Sequence, residues 1–138
     1  METNKEFSGK KLKNANDVVK IMDALLPKDI DHEECWAIFL RRDNAVLSLR
    51  QITIGNLFSV IFDPRRIAKY AILADAAGVI VCHNHPSGNE TPSKADIQHT
   101  EKLRNALQLF EIELVDHVIL GDESFYSFAD EKSTKRPK

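Results

Sequence analysis

The chain has 138 residues, 43% of them hydrophobic and 29% charged, with a formal net charge of −2 and a pI near 6.2. A length of this order supports one domain with a real core, and the composition excludes disorder as the main state. The slightly acidic balance excludes an overall positive field of the kind that holds nucleic acid.

The polar opening, METNKEFSGKKLKNAND, has no signal-peptide pattern, and no apolar run approaches membrane-spanning length. A cytoplasmic protein without membrane contact is therefore expected. Asn16 or Asp17 is placed to cap a short amphipathic helix, VVKIMDALL, that Pro27 stops. CWAIFL, Cys35 to Leu40, reads as a buried strand, and RRDN as a turn. Val46 to Ile52 then alternates apolar and polar residues, as an antiparallel partner strand would, until Gly55 and Asn56 break it. Pro64 opens a helical stretch with Ile67, Tyr70, Ala71 and Ala74 at helical spacing.

Ala77 to His83, AGVIVCH, is short, β-branched and continuously apolar, the pattern of a central strand covered on both faces. The loop HNHPSGNETPS leads into a helix with Leu103, Ala106, Leu107 and Phe110 on one stripe. IELVDHVIL and FYSF close the fold as strands around Gly121-Asp122. Lys132 to Lys138 is expected as a solvated basic tail. Cys35 and Cys82 lack CxxC spacing and lie in apolar runs, so both read as buried free thiols of a reducing compartment. The order α-β-β-α-β-α-β-β defines a mixed α/β single domain. Residues 1–15 form a polar segment before it, residues 16–130 the domain, and 131–138 the tail.

His83 and His85 are one residue apart at the end of a strand, so both imidazoles project to the same side. Ser93 and Asp96 follow at the start of the next helix. Two imidazoles and one carboxylate leave a fourth tetrahedral position open to water, the pattern of catalytic zinc. Each half also has a plainer reading. Ser93 with Asp96 forms a capping box, and histidines in a loop are ordinary surface residues. The two readings of Asp96 are compatible, because a helix N-terminus stabilises negative charge. Competing motifs fail. HEECW places Trp36 where HExxH needs its second histidine, and neither the deaminase signature nor a GxGxxG or P-loop pattern occurs.

His83, His85, Ser93 and Asp96 match the H-x-H-x7-S-x2-D signature of the JAMM (JAB/MPN) metalloprotease superfamily at every specified position. HNHPSGN, DPRRI, VDHVILGD and YSFAD resemble its RadC-like branch, over roughly residues 16–130. The resemblance implies a mixed sheet flanked by helices, akin to the cytidine-deaminase-like sandwich, with Zn²⁺ held by His83, His85 and Asp96. It implies a peptidase or isopeptidase using a metal-activated water, with Glu33 as general base and Glu34 as the fallback. Ser93 would donate to the oxyanion. His117 is expected to support or pack rather than ligate, and His32 and His99 receive no role. The helix-hairpin-helix region of longer RadC proteins has no counterpart in this sequence, Cys35 replaces the usual aromatic, and Arg41 replaces an acidic or amide residue. These departures bear on substrate and partner rather than on metal. A peptide or protein substrate is expected. A nucleic-acid-associated protein and a non-catalytic zinc-binding module are the other classes in play, and a homo-oligomer stays open.

Overall fold

The computed structural model describes residues 5–26, 30–54 and 63–137. After a 3-10 turn at Lys5–Phe7, the elements are α1 (Ala15–Leu25), β1 (Glu34–Leu40), β2 (Val46–Ile54), α2 (Pro64–Leu73), β3 (Gly78–Asn84), α3 (Lys94–Gln108), β4 (Glu113–Leu120), β5 (Ser124–Ser127) and β6 (Lys132–Lys135). The six strands form one sheet in the order β2-β1-β3-β4-β5-β6. β3 and β4 run parallel, joined across α3, and the other neighbours are antiparallel. This is the expected mixed α/β single domain. Among the described residues, no helix is long and apolar enough to cross a membrane.

Strand alternation divides the core into two layers. Trp36, Ile38, Leu40, Ile80, Cys82, Val118 and Leu120 pack beneath Val18, Val19, Ile21 and Met22 of α1. Cys35, Ala37, Phe39, Val79, Val81 and Leu114 pack beneath Ile67 and Ala71 of α2 and Leu103 and Leu107 of α3. β3 is buried along its whole length because both faces are covered, which is why its sequence shows no alternation. Both cysteines are buried and free, and burial first of all pushes their thiols upward.

Several local expectations need correction. Asn14, not Asn16 or Asp17, caps α1, its side chain accepting from the Asp17 N–H. Pro27, Gly55 and Asn56 lie outside the described residues. Leu103 and Leu107 are buried, but Phe110 is 53% exposed, because α3 ends at Gln108. The basic segment is not simply a solvated tail: Lys132–Lys135 pairs antiparallel with β5 as an edge strand. Its Lys-Ser-Thr-Lys sequence keeps charge on an exposed edge, a pattern that discourages further pairing. Arg136 then bonds the Gly121 carbonyl at 2.6 Å and pairs with Asp23 of α1.

Candidate metal centre

β3 delivers His83 and His85 to the α2/α3 side of the sheet at its C-terminal end. The following turn is made by residue type. Pro86 sits at its second position, and the Gly88 N–H closes it on the His85 carbonyl at 2.9 Å. Gly88 has φ +88°, and a Cβ there would collide with the Asp122 carboxylate, so this corner of the loop requires glycine. The chain then reaches Ser93, the N-cap of α3, whose Oγ accepts from the Asp96 N–H at 3.0 Å. Asp96 returns the bond by accepting from the Ser93 N–H at 2.7 Å. The expected capping box thus exists, and it aims the same carboxylate at the histidines.

The Nε2 atoms of His83 and His85 lie 3.1 Å apart. One Asp96 oxygen is 3.3 Å from His83 Nε2, and the other is 3.2 Å from His85 Nε2. A tetrahedral ion with bonds of about 2.0–2.1 Å has ligand atoms about 3.3 Å apart, so the three groups are spaced to share one. The donor set agrees. His85 Nδ1 lies 2.8 Å from the Asn89 carbonyl, which can only accept, so Nδ1 carries the proton and neutral His85 turns a lone pair inward. A carboxylate and an imidazole lone pair facing one another call for a cation. His83, His85 and Asp96 can therefore hold a metal ion. His83 is sealed, whereas His85 and Asp96 retain some access to solvent, so the opening lies on their side.

Burial alone would push the Asp96 carboxyl up, but when His83 and His85 carry protons on Nε2 in place of an ion, their bonds outweigh burial and hold Asp96 far below the usual carboxylate range. Burial lowers His85, yet its bonds to Asp96 and Asn89 leave it net raised. Burial, and then the neighbouring His83, hold His117 well below its ordinary value, so this ring is neutral at pH 7.

The two candidate bases diverge. Glu34 accepts from Trp36 Nε1 at 3.1 Å and Gln51 Nε2 at 3.3 Å, and lies 2.9 Å from His32 Nε2. These bonds occupy it on the α1 side. Glu33, one residue earlier, is half-buried, and its charge raises both Cys35 and His85. Asn84, between the two histidines, bonds the chain on either side of Glu33. Its Oδ1 accepts from the Glu34 N–H at 2.7 Å, and its Nδ2 donates to the His32 carbonyl at 3.0 Å. Ser93 has spent its lone pair, not its proton, on the cap, so its hydroxyl is still able to donate.

Two contributors escape the sequence reading, Asn84 and Thr100, while His117 is expected to support or pack rather than ligate. His117 Nε2 lies 2.8 Å from His83 Nδ1, and its Nδ1 lies 2.6 Å from Thr100 Oγ1. The histidine inside the apolar strand LVDHVIL is the signal for that expectation. His117 reaches this face because of a bulge in β4. Val79 pairs with Leu114 but Ile80 with Asp116, so Val115 is extra and His117 falls on the same face as Leu114. Gly78 makes room for it, since a Cβ there would lie 2.9 Å from Val115.

A mixed sheet with two histidines and a helix-capping aspartate converging at its C-terminal edge defines a JAB-type domain with a candidate metal site. The RadC-like JAB domain model matches residues 12–133, and the chain belongs to that family. It is 38% identical over 122 residues to a UPF0758 protein of Flavobacterium johnsoniae, covering 88% of this chain and 53% of that protein. To UPF0758 protein CT0611 of Chlorobaculum tepidum it is 43% identical over 120 residues, covering 87% and 54%. To UPF0758 protein YfjY of Escherichia coli K12 the identity is 40% over 101 residues, covering 73% and 63%. The chain thus spans about half the length of the first two relatives.

Proposed function

We propose that this domain is a zinc-dependent metallohydrolase, a peptidase or isopeptidase acting on a peptide or protein through a metal-activated water. The observation that carries the reading is the convergence of His83, His85 and Asp96 at 3.1–3.3 Å with the lone pair of His85 turned inward. Zinc held there would lower the pKa of a bound water from 15.7 to about 7 and polarise a carbonyl.

The chain's own groups supply the rest. Glu33 takes the proton from the attacking water and later delivers it to the leaving amine, acting as base and then as acid. The Ser93 hydroxyl donates to the oxyanion that develops on the carbonyl, a contribution of about 2.7–4 kcal/mol by comparison with other single-donor deletions.

The test begins with metal content of tag-free protein by mass spectrometry, beside His85→Ala and Asp96→Ala. About one zinc per chain, lost in both variants, supports the site. Zinc-loaded protein is then screened against peptide and isopeptide libraries with Glu33→Gln as control. Absence of zinc from wild type supplied with the ion overturns the reading. Zinc without hydrolysis of any library leaves a zinc-binding interaction module.

A further inference from the structure

Thr100 and His117 form a chain of bonds that begins and ends on metal-ligand residues. Thr100 Oγ1 lies 2.6 Å from the Asp96 carbonyl, one helical turn back, and 2.6 Å from His117 Nδ1. A carbonyl oxygen can only accept, so the single hydroxyl proton of Thr100 points at Asp96. Toward His117 the hydroxyl has only a lone pair to offer, and Nδ1 of His117 must be the protonated nitrogen. A neutral imidazole has one N–H, so Nε2 of His117 is an acceptor. His83 Nδ1, 2.8 Å away, must then carry a proton, and the lone pair of His83 is left on Nε2, the atom that faces His85 and Asp96.

We propose that Thr100 and His117 are positioning residues that fix His83 as its Nδ1–H tautomer, so that His83 presents a lone pair to the metal before any metal arrives. The relay is sealed: Thr100 and His117 are 2% and 1% exposed, and Phe128 stacks on the His117 ring at 4.6 Å and 5°. Water therefore cannot substitute for a missing member. The direction of the whole chain is set by one backbone carbonyl, just as the Asn89 carbonyl sets His85. Were His117 reversed, with its proton on Nε2, His83 would be forced to hold its own proton on Nε2 and the site would be closed to metal.

The purpose of the relay rests on the metal reading, but its protonation pattern does not, and the two fail separately. Metal-free wild-type protein with ¹⁵N-labelled histidine is examined by long-range proton–nitrogen NMR, at a pH where the imidazoles are neutral. Nδ1–H on both His83 and His117 is expected. A proton on Nε2 of His117 overturns the proposal, whatever the zinc content of the protein. Zinc affinity is then compared for wild type, Thr100→Val and Thr100→Ser. Thr100→Val should bind zinc about 10–100-fold more weakly, as other losses of an outer hydrogen-bond partner do. Thr100→Ser, which keeps the hydroxyl, should bind near the wild-type level. Equal affinity in Thr100→Val and wild type also overturns the proposal. If Thr100→Val fails to fold, the wild-type tautomers decide alone.

Discussion

Two carboxylates lie on opposite sides of this sheet, and their surroundings differ in kind. Glu34, toward α1, is met by donors: the Trp36 indole, the Gln51 amide and the His32 ring. Its cluster is complete as it stands. Asp96, toward α2 and α3, is met by two imidazoles whose Nδ1 atoms are engaged elsewhere, one with Asn89 and one with His117. What they turn toward Asp96 is acceptor capacity. Buried acceptors that face acceptors are unfavourable until a metal ion or a shared proton joins them. The difference teaches that a metal site is recognised less by which residues gather than by where their protons have been sent.

Exchanging the charge on each side breaks the comparison most sharply. Glu33→Gln should retain zinc and lose hydrolysis by about 10²–10⁴-fold, the usual range for a positioned acid or base. Glu34→Gln should retain both zinc and hydrolysis, with its effect appearing in stability, because Gln cannot accept from every donor around it. Turnover on the substrate found by screening, with zinc content measured in parallel, separates them. If Glu34→Gln loses hydrolysis while Glu33→Gln keeps it, the base has been assigned to the wrong face.

The two core layers should differ in the same way. Met22→Ala on α1 and Leu103→Ala on α3 each remove a fully buried side chain, and each should cost about 2–5 kcal/mol in chemical denaturation. Only Leu103→Ala should also weaken zinc binding, since α3 carries Asp96 and Thr100. Equal zinc affinity in the two folded variants would show that the site is held by its loop rather than by the packing of α3.

How far these features could be read in advance depends on the range of the interactions that make them. The continuous apolar run of β3 and the Ser93–Asp96 box are local, and the sequence displays them, whereas two register shifts against β1 break the alternation expected of β2. His83 and His85 share a side for the same local reason. The cap of α1 was misplaced because Asn14, Asn16 and Asp17 all suit the role, and only the actual path of the chain selects Asn14. β6 was invisible because KSTK has no core face and exists as a strand only through its pairing with β5. The Thr100–His117–His83 chain joins residues 17 and 34 positions apart across a bulge. No spacing rule reveals it, and Thr100 looks like an ordinary helical threonine.

Asn84 offers a finer test, since it ties β3 to the entry of β1. Asn84→Ala removes both bonds that bracket Glu33 and leaves the His32 carbonyl and Glu34 N–H without that partner. A stability loss of about 1–3 kcal/mol is expected. Zinc affinity should hold, while turnover falls at an unchanged zinc content. A fall in zinc affinity equal to the fall in turnover would mean that Asn84 holds the histidines rather than Glu33.

The smallest effect concerns Asp116, the neighbour of His117 on the α1 side of β4. Burial is the largest influence on it and leaves its carboxyl net raised, although Ser127 Oγ donates to it at 2.7 Å and the His117 and Ala129 N–H groups at 2.7 and 2.9 Å. A carboxyl whose folded pKa exceeds its unfolded value near 4 binds its proton more tightly in the native state. Stability therefore falls as pH rises from about 4 through the folded pKa, and it stays lower above it. Asp116→Asn cannot ionise and should lack this decline. Denaturation of both proteins over a pH series should show wild type losing ground to the variant across that window. A difference that stays constant with pH would mean that the three donors fully offset burial. Asp116 would then resemble Glu34, a carboxylate whose donors complete it.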